Sequence, residues 1–451
     1  MNRAPQSASA PPPPSDVSPW VGLAGLCGLA AWLMVCRHWP ALVAVLGLPG
    51  PRLVMSGPGA AVAALLFAAL PMVLVSLLVD RVHLRPGTGI DWHRPRPLAA
   101  SWRISATKLV GLWATWALVG FAYCLGRWYF RGNYLFAMRL LWGALPFLLA
   151  CSVPYVLWLD RYLREPRDGA WHFGALLMGD AGAERGAVAA HARSWAVKGF
   201  FTAFMLSILP GGWARMVVFD WGQVAGDPVA LASGLIELMF LIDVQIGTVG
   251  YLMTLRPLDA QIRSANPLLA GWVAALACYP PFSLMIGGGV LDYRVNGAEW
   301  SYWLAGHNAL LWLWGAMLVL LTAAYAWATL AFGLRFSNLT WRGVLTNGPY
   351  RYTRHPAYLA KNSFWWLASM PLLATSHSPV DAIRNTALLM LVSAVYYWRA
   401  RTEEAHLLGE DPKYVAYHAW MAEHGAITAP LVRLGRRLAG VQPEAAVQPA
   451  E

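Results

Sequence analysis

Long apolar segments recur along this chain, and they constrain its fold more than any other feature. Each is about 20 residues long, enough for a helix to cross a hydrocarbon core of about 30 Å. They lie near residues 20–36, 59–79, 109–126, 134–159, 199–218, 230–254, 268–290, 303–331, 358–374 and 385–399. A backbone in lipid must satisfy its own hydrogen bonds, which a helix does. The sequence therefore predicts an all-α, polytopic bundle of about ten transmembrane helices.

The composition supports the same class of protein. Of the 451 residues, 58% are hydrophobic and 13% are charged, whereas a soluble domain has about 25% charged residues. The formal net charge of +11 does not indicate a nucleic-acid partner, because the basic residues fall in alternate loops. The partner that this pattern indicates is a lipid bilayer.

The distribution of Lys and Arg also predicts the orientation of the chain. Basic residues are concentrated in the segments 80–108, 160–198, 332–357 and the tail after 399. The intervening loops 219–229, 291–302 and 375–384 contain almost none. By the positive-inside rule we expect an inner-membrane protein with both termini in the cytoplasm. Four arginines in the predicted outer loops depart from the rule: Arg37, Arg52, Arg127 and Arg131.

The chain divides into four predicted regions. Residues 1–19 form a Pro-rich leader that we expect to be disordered, and residues 20–300 form a transmembrane region with no assigned role. Residues 301–425 form a second transmembrane region that carries the polar motifs, and residues 426–451 form a basic tail that we expect to be disordered. The five cysteines show no CxxC spacing, so we expect neither a zinc site nor a disulfide framework.

Two polar stretches flank the last two predicted spans. "GPYRYTRHPAY" (348–358) precedes one span, and "YYWRARTEEAHLL" (396–408) ends the other. If these spans form an antiparallel hairpin, both stretches meet at the cytoplasmic surface. The hairpin would bring together two charged sets, namely Arg351, Arg354 and His355 on one side and Arg399, Arg401, Glu403 and Glu404 on the other.

This combination of charges can bind a small zwitterion. Pro356 suits the first turn of a helix, which puts His355 near the N-cap, where exposed amides favour an anionic group. Glu403 and Glu404 can accept hydrogen bonds from a sugar diol or neutralise an ammonium or sulfonium. Any single arginine beside a span is as often a topology determinant or lipid anchor as it is part of a binding site. It is the presence of both charge signs at one membrane edge that favours a binding site.

These residues resemble the signature of the isoprenylcysteine carboxyl methyltransferase and phospholipid methyltransferase family of integral membrane enzymes. The matching residues are Gly348, Pro349, Tyr350, Arg351, Arg354, His355, Pro356 and Tyr358, followed by Arg399, Glu403, Glu404, Leu407, Tyr414 and Tyr417. The resemblance covers residues from about 303 to 425.

The resemblance implies an S-adenosylmethionine-dependent methyltransferase that acts at the cytoplasmic face on a lipophilic or small acceptor, a carboxylate or an amine. It implies cofactor binding by Arg351, Arg354, His355, Pro356, Tyr358, Arg399, Glu403 and Glu404, with His355 and Arg354 as candidate catalytic residues. It implies neither a Rossmann domain nor a metal ion, and no glycines here form a G-x-G-x-x-G between a strand and a helix.

Two other functions stay open at this stage. Membrane sterol and enone reductases have a similar C-terminal motif and use NADPH, but they carry Asn where this chain has Ala357. Glu237 and Asp243 lie inside a predicted span, where acidic residues suggest an ion path, although polar contacts between packed helices are the favoured interpretation. The chain also departs from many family members at Ala360, which replaces a glycine and is followed by Lys361 and Asn362.

Overall fold

The fold was analysed in a computed structural model that describes residues 11–50, 52–285 and 288–438. The α-helices are α1 (Pro19–Arg37), α2 (Trp39–Leu46), α3 (Pro58–Leu74), α4 (Leu98–Leu125), α5 (Tyr134–Tyr162), α6 (Gly169–Leu177), α7 (Arg185–Val218), α8 (Trp221–Val224), α9 (Pro228–Leu252), α10 (Leu269–Leu276), α11 (Trp300–Trp303), α12 (Asn308–Phe332), α13 (Pro356–Ser369), α14 (Pro379–Glu410), α15 (Pro412–His424) and α16 (Thr428–Leu438). Two short strands, β1 (Ser264–Ala265) and β2 (Thr340–Trp341), pair antiparallel. The all-α prediction is confirmed.

Seven helices in the described part of the chain are long and apolar enough to cross a membrane. They are Pro19–Arg37, Pro58–Val79, Leu98–Leu125, Tyr134–Tyr162, Arg185–Val218, Pro228–Leu252 and Asn308–Arg335. The chain is therefore an integral, multi-pass membrane protein in a lipid bilayer. The predicted number of about ten spans is not confirmed, and the difference arises at three segments.

The predicted span 268–290 is not a continuous helix. Among its described residues, 268–285 and 288–290, only α10 is helical, and its 8 residues extend about 12 Å at 1.5 Å per residue. Pro280 and Pro281 follow within turns. The helix does not continue through them, because proline lacks the N–H that a helix interior needs and its ring clashes with the preceding turn. An apolar run alone did not reveal this interruption.

The other two segments form the predicted hairpin with unequal arms. α13 has 14 residues and extends about 21 Å, which is less than the roughly 30 Å of a hydrocarbon core. α14 has 32 residues and extends about 48 Å, well beyond the predicted span 385–399. Its last turns therefore project past the apolar part and carry the charged residues.

Close packing of helices joins the N-terminal region to the C-terminal one. The largest buried cluster combines side chains from α1, α3, α7 and α9 with Ala326 and Leu334 from the C-terminal region. Gly22 of α1 lies so close to α12 that an added Cβ would be 2.2 Å from the Leu330 carbonyl oxygen. Small residues allow such approaches between transmembrane helices. The residues around the polar motifs are thus held by the whole bundle.

The segment before α1 contacts the loop that follows β2. The Asp16 backbone N–H donates to the Val344 carbonyl at 2.9 Å, and Lys413 Nζ lies 2.5 Å from Asp16 Oδ1. Asp16 belongs to the leader that the sequence predicts to be disordered, and residues 1–10 of that leader lie outside the described residues. In the predicted disordered tail, α16 is helical, and residues 439–451 lie outside the described residues.

Candidate cofactor site

A tight turn leads the chain into α13. Gly348 has φ +55°, a left-handed conformation that glycine adopts without strain, and it opens a 3₁₀ turn over Gly348–Arg351. Pro356 is the first residue of α13, and His355 occupies the N-cap without a side-chain capping bond. The His355 ring instead reaches α14, where its Nε2 lies 3.0 Å from Glu404 Oε1.

Glu404 is the centre of a buried cluster of charges. Arg354 Nε lies 2.9 Å from its Oε1, Arg401 Nη1 lies 2.9 Å from its Oε2, and His418 Nε2 lies 3.8 Å from its Oε2. Burial by itself would raise the pKa of this carboxyl, but the hydrogen bond with His355, the nearby His418 ring and the positive charge of Arg354 outweigh it, so the pKa lies well below its usual range. Glu404 is therefore an ionised anchor that orients several cations.

Glu403, the neighbouring carboxylate, has a different environment. Tyr358 Oη donates to Glu403 Oε1, and Arg399 Nε lies 3.5 Å from the same oxygen. The Glu403 side chain is 22% exposed, compared with 4% for Glu404. The buried Arg399 also donates through Nη2 to Asn338 Oδ1 at 2.6 Å. Glu403 is thus held on one side and accessible on the other.

A cavity of about 160 Å³ lies between these groups. One water molecule needs only about 10–15 Å³ of such volume, so this cavity is far larger than a packing defect. Its polar and charged lining includes Asn338, Tyr350, Arg354, His355, Tyr358, Lys361, Arg399, Glu403, Tyr414 and Tyr417. Glu404 is not part of the lining and lies behind the cations.

Unsatisfied donors make the cavity a fitting site for a zwitterionic cofactor. Arg354 Nη1 and Arg399 Nε are buried and have no hydrogen-bond partner. A buried donor without a partner costs about 1–3 kcal/mol, a cost that a ligand oxygen would relieve. S-adenosylmethionine carries a carboxylate for cations of this kind, and it carries hydroxyls and positive groups that an accessible carboxylate such as Glu403 can bind. The residues present fit this cofactor.

The structure brings most of the predicted residues together. Five of them line the cavity: Arg354, His355, Tyr358, Arg399 and Glu403. Glu404 contacts the cavity-lining cations, and Pro356 is buried at the start of α13. Arg351 is exposed at the end of its turn and does not line the cavity, so the structure does not bring it to the other residues.

Some residues of the site escaped the sequence reasoning. Asn338 and His418 are both in contact with the predicted residues. α15 buries Tyr414, Tyr417 and Met421 at a spacing of three and four residues, and this periodicity could have placed His418 on the same side as these buried residues. Asn338 lies in a loop and has no local pattern that could have indicated its contact with Arg399.

The two acidic residues of α9 contact neighbouring helices. Asp243 accepts a hydrogen bond from Tyr325 Oη at 2.8 Å and another from Thr329 Oγ1, both on α12. Glu237 is 3.2 Å from Arg215 Nε of α7, and both side chains are exposed. These are the polar contacts between helices that the sequence analysis favoured for this pair.

Comparison with known proteins gives one match. The model of the Isoprenylcysteine carboxyl methyltransferase (ICMT) family matches residues 310–409, which run from the first turn of α12 almost to the end of α14. No curated protein and no solved structure matches the chain. The match supports a membrane methyltransferase and does not support the alternative of an NADPH-dependent reductase. The C-terminal part of the chain is thus similar to the isoprenylcysteine carboxyl methyltransferase family over residues 310–409.

Proposed function

We propose that this protein is an integral membrane methyltransferase that uses S-adenosylmethionine and acts at the cytoplasmic face. Its acceptor is a lipophilic or small molecule with a carboxylate or an amine. The observation that carries the proposal is the cavity between α13 and α14, most of whose lining residues lie within the family-matched segment 310–409. In that cavity Arg354 presents a buried donor without a partner, and Glu403 presents an accessible carboxylate.

Each charged residue has a distinct role in this proposal. Arg354 and His355 bind the carboxylate of the cofactor, and Glu403 binds its ribose hydroxyls or its positively charged part. Glu404 does not contact the cofactor and acts as a positioning residue for Arg354 and His355. Tyr358 and Arg399 fix the orientation of Glu403.

The chemistry requires little beyond positioning. The cofactor supplies an electrophilic methyl group, whose bond to sulfur breaks as an acceptor oxygen or nitrogen binds the carbon, leaving S-adenosylhomocysteine. Residues that hold two reactants in the reactive geometry can lower a barrier by up to about 7–11 kcal/mol. A carboxylate acceptor is already ionised at neutral pH. An amine acceptor needs a base, and His355 is the candidate.

The proposal places both ends of the hairpin in the cytoplasm, and cysteine labelling tests this. In a variant that lacks the native cysteines, Tyr352→Cys and Ala426→Cys are exposed positions on the cavity side, and Leu372→Cys is exposed in the turn between α13 and α14. In intact cells an impermeant reagent is expected to label only Leu372→Cys. Labelling of Tyr352→Cys without Ala426→Cys would show that the two halves of the site lie on different faces.

Product identification tests the activity itself. The purified full-length protein in detergent is incubated with labelled S-adenosylmethionine and a membrane-lipid extract, and labelled products are identified by mass spectrometry. We expect a methylated product with the parent protein and with Glu237→Gln, whose contact with Arg215 lies on other helices. The Glu403→Gln variant is expected to form much less product. Equal product from the parent and from Glu403→Gln would contradict the proposed role of the cavity.

A further inference from the structure

A second cavity, of about 320 Å³, adjoins the other end of α13. Apolar and aromatic side chains of α13, including Phe364, Trp365 and Ala368, form one wall. The segment between α10 and α11 forms another wall, which includes Tyr293 and Glu299. The volume suits an organic ligand of moderate size, and the lining is mainly apolar with few charges, as in small-molecule sites.

The two cavities follow one another along the hairpin. On α13, Tyr358 lines the cofactor cavity, Lys361 lines both cavities and Trp365 lines the second. α14 runs in the opposite direction, so its earlier residue Tyr396 lines both cavities and its later residue Glu403 lines the cofactor cavity. Each series covers about 10 Å of helix at 1.5 Å per residue. The cavities are therefore consecutive chambers, and Lys361 and Tyr396 lie at their junction.

Lys361 has no close acidic partner at this junction. Its Nζ lies 5.4 Å, 5.3 Å and 5.8 Å from the ring centroids of Tyr325, Trp365 and Tyr396. Among the described residues no carboxylate is within 4.0 Å of it. Asp243 interacts with it electrostatically from farther away, but the Asp243 oxygens already accept hydrogen bonds from Tyr325 and Thr329. Lys361 is partly buried, and ring contacts offset only part of the cost of removing an ammonium group from water.

We propose that the second cavity binds the methyl acceptor and that Lys361 pairs with an ionised acidic group of an amphiphilic acceptor. The inference rests on the proposed function, because the cofactor cavity supplies the reacting partner. The apolar part of the acceptor lies against Phe364, Trp365 and Ala368, and its acidic end reaches the junction. An acceptor with an ammonium group at the same position is repelled by Lys361.

The position of the second cavity also assigns a direction of entry. Its lining includes Arg294, Gly297 and Glu299, which belong to the loop 291–302 that the sequence predicts on the side opposite to the cytoplasm. The cofactor cavity lies at the other end of the hairpin. The acceptor therefore enters from the opposite side of the bundle to the cofactor, and the two molecules meet at Lys361.

Photolabelling tests the inference without requiring turnover. The full-length protein in detergent is exposed to a fatty acid with a diazirine in its chain and, in parallel, to the fatty amine of the same length. The labelled residues are mapped by mass spectrometry. We expect the acid to label residues 364–369, and the amine to label them at least about tenfold less, as the loss of a charge-assisted contact implies.

Three variants sharpen the test. Lys361→Met removes the charge and Ala368→Phe fills the cavity, and each is expected to reduce labelling by the acid by about tenfold or more. Ala387→Phe, at an exposed position of α14 outside both cavities, is the matched control and is expected to label like the parent. Circular dichroism and the melting temperature show that each variant is folded, independently of any binding of S-adenosylhomocysteine.

The outcomes separate this inference from the proposed function. Equal labelling by acid and amine, or labelling that is unchanged in Lys361→Met, would overturn the inference. Labelling confined to residues outside the second cavity would also overturn it. Acid labelling that depends on Lys361, in a protein that does not bind S-adenosylhomocysteine, would support the anion site and overturn the proposed function.

Discussion

Two of the buried carboxylate clusters among the described residues look alike in burial and charge but differ in what surrounds them. In the N-terminal region, Asp160 of α5 is paired with Lys108 Nζ at 2.5 Å and accepts a hydrogen bond from Ser105 Oγ at 2.9 Å. In the C-terminal region, Glu404 is paired with Arg354, His355 and Arg401. The carboxylate side chains are 0% and 4% exposed, respectively.

The two clusters differ in whether hydrogen-bond donors around the carboxylate are left without a partner. Around Asp160 both carboxylate oxygens are paired, Lys108 also contacts Asp168 at 3.1 Å, and neither of the two cavities described above adjoins the cluster. Around Glu404, Arg354 leaves its buried Nη1 without a partner, and both Arg354 and His355 line a cavity. A buried ion pair is thus not evidence of a site, whereas unsatisfied donors beside a cavity are. We therefore interpret the first cluster as structural and the second as a binding site.

The largest expected effect on cofactor binding comes from Glu404→Gln. The substitution removes the charge that orients Arg354 and His355, so the two residues that bind the cofactor lose their common partner. We expect the affinity for S-adenosylhomocysteine to fall by about 150-fold, the upper range for losing charge-assisted hydrogen bonds. Calorimetric titration measures it. Wild-type affinity in folded Glu404→Gln would contradict the positioning role.

A smaller effect is expected from Glu403→Gln. The glutamine keeps the shape of the side chain and its contact with Tyr358, but it binds a positive or hydroxyl group less strongly. Because Glu403 is partly exposed, solvent screens the interaction, and we expect a loss near the lower end of the range, about 10-fold. The same titration measures it. A larger loss than for Glu404→Gln would reverse the roles assigned to the two carboxylates.

The pH dependence of stability tests whether the buried Glu404 carboxylate is ionised. The pKa of Glu404 is lowered in the folded protein, so its contribution to stability is fully present above the unfolded value of about 4.5 and is lost as the pH falls through the folded pKa. We expect the difference in melting temperature between the parent and Glu404→Gln to persist from about pH 8 to pH 5. A difference that disappears within that interval would show that Glu404 is not ionised there.

The smallest expected effect on cofactor binding comes from the other cluster. Asp160→Asn leaves Lys108 without its closest partner, and breaking a buried pair in this way costs about 3–5 kcal/mol of stability. We expect a lower melting temperature with S-adenosylhomocysteine affinity within about twofold of the parent, because the two clusters share no partner. A large loss of affinity in the folded variant would mean that the two regions are coupled.

The charged residues of the hairpin were predictable because their partners are set by helix geometry. Once two adjacent spans are antiparallel, residues about fifty apart in sequence, such as His355 and Glu404, meet at one end. Within α14, Arg399 and Glu403 lie on one helix face by their spacing of four residues. The spacing could not show that Glu404 is the enclosed carboxylate and Glu403 the accessible one, because the difference depends on α15 and its His418.

Loop composition could not show which basic residues are buried. Lys108 belongs to a segment that the positive-inside rule assigned to the cytoplasmic face, yet it pairs with Asp160 inside the bundle. Arg335 and Arg342 lie in another such segment. Arg335 Nη2 donates to Asp259 Oδ2 at 2.6 Å, and Arg342 Nη1 donates to the Gly250 carbonyl at 2.9 Å. Contacts between segments so distant in sequence leave no local pattern.

The most direct test of the central claim is calorimetric titration of the purified full-length protein with S-adenosylhomocysteine and, separately, with NADPH. The account predicts that S-adenosylhomocysteine binds, that its affinity falls in the order parent, Glu403→Gln and Glu404→Gln, and that NADPH does not bind. Tight NADPH binding without S-adenosylhomocysteine binding, or unchanged affinity in both folded variants, would contradict the assignment of this cavity as the cofactor site.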